Sequence, residues 1–433
     1  MMRQTGGAHT GKPEAAEWSL NRESELRFEV DTPVSIKLLE GVAEVFGSEI
    51  PPNKTLTFDS GSKVAVFTWH GCKVQLEGEA QLAYVSTETP MITYLNIHAV
   101  LEKMREKAET SGDDGPRVLV VGSTDVGKTT LCRLLLNYAI RWNRRPVFVD
   151  IDCGQNSILV PGTIGALPID KPASIEGGEF ATSAPLVYQY GWISPDSNKQ
   201  LYKVLITEIA RVVSERAKTI AESRIGGCII NSCGWIDGFG FEALVHAAKA
   251  FRTNVILVLD QERLYNQLKM VFDPSRVDQD VQVVLLPKSG GVVARSKAAR
   301  RQSRDQSVYR YFYGTSRELF FPHSFDVKFS EVQIYKIGSP SVPASCLPID
   351  TKQDDHETKL VSVDPSPDLL HTLCGLSLAN SLDEDLVRTN LAGFVCITDI
   401  DMDRQVFTAL APAPHPLPRR FLLLSSIRFM DLK

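Results

Sequence analysis

Between Gly122 and Thr129 the chain reads GSTDVGKT, a G-x-x-x-x-G-K-[ST] spacing whose residue types suit one task, holding the phosphates of a nucleotide. Gly122 and Gly127 permit backbone angles and close approaches that a Cβ would block, so successive N–H groups can curl around phosphate oxygens. Lys128 reaches the β and γ oxygens as a mobile point charge. Thr129 offers a hydroxyl to Mg²⁺, and a helix starting there adds its positive end. The motif by itself fits a loop that binds ATP without turnover as well as one that transfers phosphate. The guanine-reading N-K-x-D is missing, since neither Asn53-Lys54 nor Asn198-Lys199 is followed by Asp two residues on, so ATP is expected over GTP.

A second stretch, PVFVDIDCGQNS, ends the next strand. One of Asp150 and Asp152 is expected to face the phosphate loop, and Asp152, nearer the strand end and followed by Cys153-Gly154-Gln155, is the better placed. A carboxylate there accepts a proton from an attacking hydroxyl or holds a magnesium water, the needs of phosphoryl transfer. Two more strands end in polar residues, CIINSCGW and VILVLD. Asp260 is expected to cap the helix QERLYNQLKM. Trp235 follows a strand end, where it either fills the core or stacks on a nucleobase, an interaction worth about 1–3 kcal/mol.

The third stretch is KSGGVVARSKAARRQSRDQSVYR, with Lys288, Arg295, Lys297, Arg300, Arg301, Arg304 and Arg310 against one acid, Asp305. If SKAARRQSR is helical, Lys297, Arg300 or Arg301, and Arg304 share one face. Gly290 and Gly291 would hinge such a helix over a triphosphate, where arginines stabilise the transferring group and exclude water.

The elements that must position these groups follow from the patterning. From Arg117 to about Tyr313, continuous apolar strands alternate with helices, which implies a parallel sheet covered on both faces. From about Glu25 to Val85 short polar–apolar alternation bounded by Gly, Pro, Asn and Asp implies a small all-β domain. The helix YLNIHAVLEKMREKAE and the linker SGDDGP follow it. The remainder is again strand-like, interrupted by the Pro-rich, acidic run 339–359, expected as an exposed excursion. The expected fold is α/β: a central P-loop parallel-sheet domain (111–316) between an N-terminal β domain with its connecting helix (21–110) and a C-terminal mainly-β domain (317–433). Residues 1–20 are expected to be disordered.

Composition agrees with this division. A chain of 433 residues, 43% apolar, supports more than one core, and a formal charge of -5 gives no chain-wide attraction to nucleic acid. The eight cysteines never fall at C-x-x-C spacing and read as reduced, mostly buried thiols. The N-terminus lacks an apolar h-region and no window holds 18 uninterrupted apolar residues, so an intracellular chain with no membrane partner is expected.

The motifs ELRFEV, AEVFGSE, KVAVFTWHGC, GPRVLVVGSTDVGKTT, CGW, VLDQERLYN, LPKSGGVVARSK and APAPHPLP are spread along nearly the whole chain. In them the chain resembles the eukaryotic polyribonucleotide 5′-hydroxyl kinases that are also subunits of pre-mRNA cleavage factor II. The resemblance implies ATP bound between the β domain and the P-loop domain, with Glu25 and Lys63 on the nucleotide. Asp125, Val126, Gly127, Lys128, Thr129 and Thr130 would hold its phosphates, and Thr129 and Asp152 a Mg²⁺ ion. Asp152 would be the base toward an RNA 5′-hydroxyl, Trp235 would clamp the terminal base, Arg295, Arg300 and Arg304 would form the lid, and Gln155 would order the metal or the RNA end. It also implies partners: RNA with a 5′-hydroxyl end, a cleavage factor II scaffold subunit and the tRNA splicing endonuclease. The implied setting is the nucleus, in tRNA splicing and mRNA 3′-end processing. Relatives that lack the acid, the tryptophan or the lid serve as catalytically silent, ATP-bound structural subunits; this chain keeps all three. Ser123 in the loop and Cys153 in the D-x-G-Q run are mild departures.

Overall fold

The run Arg117–Val121 is apolar after its first residue because it forms the middle of a sheet. It is buried along its length and pairs in parallel with Cys228–Asn231 on one side and Val255–Leu259 on the other. The computed structural model describes residues 15–181, 185–275, 280–315, 317–338 and 358–430. The seven-stranded central sheet runs in the order Leu186–Gln189, Thr163–Pro168, Val147–Asp150, Cys228–Asn231, Arg117–Val121, Val255–Leu259, Gln282–Leu286. The last five are parallel, as the patterning predicts. The first two add an antiparallel edge that the patterning missed, because GTIGALP and PLVYQ are short and broken by Gly and Pro.

A parallel sheet must be covered on both faces. One face buries Leu201, Leu205 and Ile209 of the helix Lys199–Thr219 with Ala243 and Ala247 of Phe239–Ala250. The other buries Leu131 and Leu135 of Lys128–Arg141 with Leu101 of Met91–Ser111. With both faces closed, the carboxyl edge of the five parallel strands is where loops can gather chemistry.

The N-terminal domain is a sandwich of a four-stranded and a five-stranded sheet. Strand alternation sends Leu26, Phe28, Val64 and Val66 into its core. The same alternation puts Glu25, Arg27, Glu29, Lys63 and Phe67 on the opposite face, and Phe67 joins the P-loop domain's core. Part of the stretch expected to be disordered is a strand: Ala15–Leu20 is an edge strand paired with Cys72–Glu77. Leu20 is buried and Trp18 packs on the sandwich core, which supplies the apolar area that holds this strand in place. Residues 1–14 lie outside the described residues, as do 339–357 of the expected excursion.

The C-terminal domain is a seven-stranded sheet around Val327, Phe407 and Leu422. It is fastened to the P-loop domain where Phe394 N donates to Tyr311 Oη (2.8 Å) and Ser426 N to Gly191 O (2.7 Å). The seven described cysteines are buried free thiols. Among the described residues no helix is long and apolar enough to cross a membrane.

The helix linking the first two domains carries a buried histidine that makes stability sensitive to pH. His98 is 3% exposed, lies 5.3 Å from the Tyr138 ring, and has no hydrogen-bond partner on either nitrogen. Burial, and then the Arg105 charge, push its pKa down to about 4 from 6.5. The unfolded chain therefore binds a proton below pH 6.5 that the folded chain refuses until about 4. Stability is intact above the upper limit and is lost as pH falls between the two, by about 3 kcal/mol at most. Asp150, pushed up to about 6 by burial and Asp152, works with the opposite sign and is common to both proteins compared. Urea unfolding of His98→Leu should show a flatter decline than wild type in this window; parallel curves would contradict the assignment.

Candidate active site at the carboxyl edge of the parallel sheet

The phosphate loop leaves its strand through Gly122, whose φ of 149° and tight seat both exclude a side chain: a Cβ there would lie 2.8 Å from Leu259 O. Asp125 (φ 55°) and Gly127 (φ 92°) are left-handed, and the helix Lys128–Arg141 starts immediately after. Such alternation of backbone hand converges N–H groups on an anion, and the helix adds its dipole. Val126 turns its side chain into the core, so only its backbone is left for a ligand. Thr129 and Thr130 stay partly exposed. Lys128 is 7% exposed and its Nζ donates to Ser123 O at 2.7 Å. Burial pushes the ammonium pKa down, and the Asp152 carboxylate works against that shift.

The two aspartates divide, but not by strand alternation, which would put residues two apart on one face: the strand ends at Asp150, and Asp152 lies in the loop beyond it. Asp150 ends its strand fully buried. Its Oδ1 accepts from Asp152 N (3.0 Å) and Asn231 Nδ2 (3.0 Å), and its Oδ2 accepts from Ser157 N (2.8 Å) and Ser157 Oγ (2.5 Å). This acid is spent on pinning both ends of the loop that carries Asp152. In that loop Asp152 Oδ1 accepts from Gly154 N (2.9 Å) and Gln155 N (3.1 Å). Its Oδ2 accepts no hydrogen bond among the described residues. Burial raises the Asp152 pKa, while Lys128, the two amides and Arg295 pull it back, and burial wins. The result is a carboxylate of fixed orientation, one oxygen uncommitted, more basic than a solvated one.

The basic stretch does form a helix, Lys297–Tyr313, capped by Ser296. Its base is fastened to the phosphate loop through Asp125, which accepts from Arg295 N (2.8 Å), Arg295 Nε (3.1 Å) and Arg300 Nη2 (2.7 Å). Burial would raise the Asp125 pKa, but the hydrogen bonds from Arg295 N–H and the two guanidinium groups outweigh it and hold the carboxyl below its usual range. Arg304, two turns into the helix, makes no ion pair among the described residues. Gln155 reaches this helix as well: its Nε2 donates to Arg300 O at 3.2 Å, so its amide ties the Asp152 loop to the lid.

Gly290 and Gly291 are not left-handed, and a β-domain arginine passes against them, so that a Cβ on Gly291 would lie 2.9 Å from Arg27 Cδ. One sequence expectation changes here. Asp260 does not cap the following helix. It is itself left-handed (φ 54°), Gln261 takes the cap position, and the Asp260 carboxylate pairs with Lys288 at 2.9 Å. With Arg310 on Glu179 (2.7 Å), much of the basic run is already ion-paired.

Trp235 meets both of its readings halfway. It is half-buried, one side 5.9 Å from the Phe239 ring, and Gly234 backs directly onto Thr124 of the phosphate loop. Glu25 and Lys63 share the β-domain face turned to the P-loop domain, but not one spot. Glu25 is buried, accepting from Arg27 Nε (2.5 Å) and Thr89 Oγ1 (3.1 Å), whereas Lys63 is exposed and pairs with Glu29 at 2.6 Å. Lys128, Asp152, Asp125, Arg295 and Arg300 are brought together. Three participants escaped the sequence: Arg27, Asp150 as an anchor, and Gln261, whose Nε2 donates to Ser123 Oγ at 3.1 Å. The D-x-D spacing hinted at the second; nothing local marked the others.

Known proteins resemble this chain along its full length. Three family models match in series: an N-terminal β-sandwich domain of polyadenylation factor at 19–108, the P-loop of mRNA cleavage and polyadenylation factor CLP1 at 122–314, and pre-mRNA cleavage complex II protein Clp1 at 320–431. A Gallus gallus protein named polyribonucleotide 5′-hydroxyl-kinase Clp1 is 54% identical over 424 residues, 98% of each chain. The Homo sapiens protein of that name is 52% identical over 428 residues, 98% of this chain and 99% of its own. Among solved structures, a wild-type Clp1p–Pcf11p complex matches at 25% identity with a TM-score of 0.82, covering 98% of this chain and 100% of the other.

Proposed function

This chain belongs to the Clp1 family of pre-mRNA cleavage complex II proteins, and from that premise we propose that it is an ATP-dependent kinase of RNA 5′-hydroxyl ends. The observation that carries the reading is Asp152: a carboxylate held by two loop amides, made more basic by burial, with a free oxygen and within the field of Lys128. The overall reaction is ATP + 5′-HO-RNA to 5′-phospho-RNA + ADP, with the hydroxyl proton passing to Asp152.

In this mechanism the phosphate-loop amides and Lys128 grip the β and γ phosphates, and Asp152 orients and deprotonates the attacking hydroxyl. Arg295, Arg300 and Arg304 balance the charge spreading over the transferring group and keep water out. Trp235 offers its open side to the terminal base, and Glu25 and Lys63 serve the nucleotide from the β domain. The partly exposed Thr129 hydroxyl is a hard donor of the kind Mg²⁺ accepts beside phosphates and water, Asp152 would hold the ion through one of its waters and keep its free oxygen for the hydroxyl, and the ion would neutralise phosphate charge there.

The cellular reading follows the family: action in the nucleus, in tRNA splicing beside the splicing endonuclease and in mRNA 3′-end cleavage and polyadenylation beside a cleavage factor II scaffold subunit. The likeness to a Clp1p chain complexed with Pcf11p supports a second role as a structural subunit. Incubation with γ-labelled ATP and a 5′-hydroxyl oligoribonucleotide, beside its DNA counterpart, tests the first. Label should pass to RNA; intact ATP with no transfer leaves the structural role alone. Trp235→Ala should raise the KM for RNA by about ten-fold or more, as loss of one base stack implies, with little change in that for ATP. A loss confined to ATP would place the indole elsewhere.

A further inference from the structure

Next to Trp235 the rim carries a cleft that the mechanism above leaves unused. It has a volume of about 150 Å³ and is lined by Ile236, Asp237, Gln261, Arg263, Leu264 and Gln267. Its residues come from the carboxyl-edge loop that carries Trp235 and from a second such loop, ending at Gln261, with the first two turns of the helix Glu262–Val271 that it opens. The second loop is fastened to the phosphate loop by the bond from Gln261 to Ser123, so the cleft is held at a fixed place relative to the reacting end.

The lining mixes chemistries in a way a bare phosphate would not need. Leu264 is buried and Ile236 half-buried, giving apolar surface, while Asp237 and Arg263 are exposed and their charges cancel. Two amides, each both donor and acceptor, complete it. The helix beginning here has no side-chain cap, which leaves first-turn N–H groups available to a ligand. Lys288, which follows the neighbouring strand, is taken up by Asp260 (2.9 Å), whereas Arg263 makes no ion pair among the described residues and its guanidinium is left for a ligand.

We infer that this cleft is the subsite for the second nucleotide of the RNA, the one that follows the base on Trp235. Arg263 binds the phosphodiester as a planar, charge-assisted donor. Gln261 and Gln267 meet the base edge without choosing among bases, and Ile236 with Leu264 give its apolar surface a contact. Asp237 accepts from the ribose 2′-hydroxyl, a donor that DNA lacks. The identity of the ligand rests on the kinase reading; the cleft and its unpaired arginine do not.

The test measures binding and transfer separately on the full chain. Arg263→Gln should raise the Kd for a 5′-hydroxyl oligoribonucleotide, by fluorescence anisotropy, and its KM in transfer by about ten-fold, the loss of one charged hydrogen bond. The KM for ATP and kcat at saturating RNA should stay at wild-type values. Asp237→Asn should shrink the preference for RNA over an oligonucleotide carrying one deoxyribose at the second position. An unchanged RNA Kd and KM in Arg263→Gln, or a rise confined to ATP, overturns the subsite while transfer by wild type would still uphold the kinase. Weaker RNA binding by Arg263→Gln in a protein that transfers no phosphate would sustain the subsite and end the kinase reading.

Discussion

Replacing Lys128 with alanine is expected to lower phosphoryl transfer by about a thousand-fold or more, of the order seen when a preorganised charge stabiliser is removed from a transition state. The ammonium is buried, so its field is little weakened by water, and its burial has already lowered its pKa; the folded protein bears that desolvation cost for the sake of a cation beside the phosphates. Removing it relieves that cost, and the thermal midpoint should scarcely move. It also takes away the strongest of the charges that lower the Asp152 pKa, so the acid limb of any residual activity should shift to higher pH. Transfer at the wild-type rate by a folded Lys128→Ala protein would show that the loop does not hold the reacting phosphates.

Asp152→Asn is expected to cost about 10²–10⁴-fold in kcat, the range for loss of a positioned general base. The substitution is close to isosteric. Its amide oxygen can still accept from Gly154 N and Gln155 N, so the loop geometry and the binding of ATP should survive while proton acceptance does not. In wild type the base works only when ionised, and burial raises its pKa. The rate should therefore fall on the acid side at a pH above that of an ordinary carboxylate, and Asp152→Asn should lose this limb. A full-rate Asp152→Asn enzyme would leave only a nucleotide-holding scaffold.

The lid shows where sequence reading stops. That Ser296–Tyr313 would start a basic helix follows from local pattern, because a serine cap and i, i+4 spacing act over one or two turns. That its first arginines would be held by Asp125, 170 and 175 residues earlier, does not, because no local preference encodes a contact of that range. The same limit explains why the approach of Arg27, from another domain, to Gly290 and Gly291 was not legible. It also explains Asp260, which a local rule made a cap and a neighbouring strand's Lys288 made an ion pair.

The sequence by itself determined the phosphate loop, the parallel sheet behind it and the choice of Asp152 over Asp150. Glycine dihedrals, apolar runs and the point where such a run gives way to polar residues are short-range properties that residues carry with them. Only the tertiary structure decided that Asp150 would be an anchor, that Lys128 and Asp152 would share one site with shifted proton affinities, and that Arg263 would line a cleft with Ile236, the residue after Trp235. Charge, burial and reach depend on which strand ends converge on one rim, and that is settled when the sheet's two faces close over apolar cores.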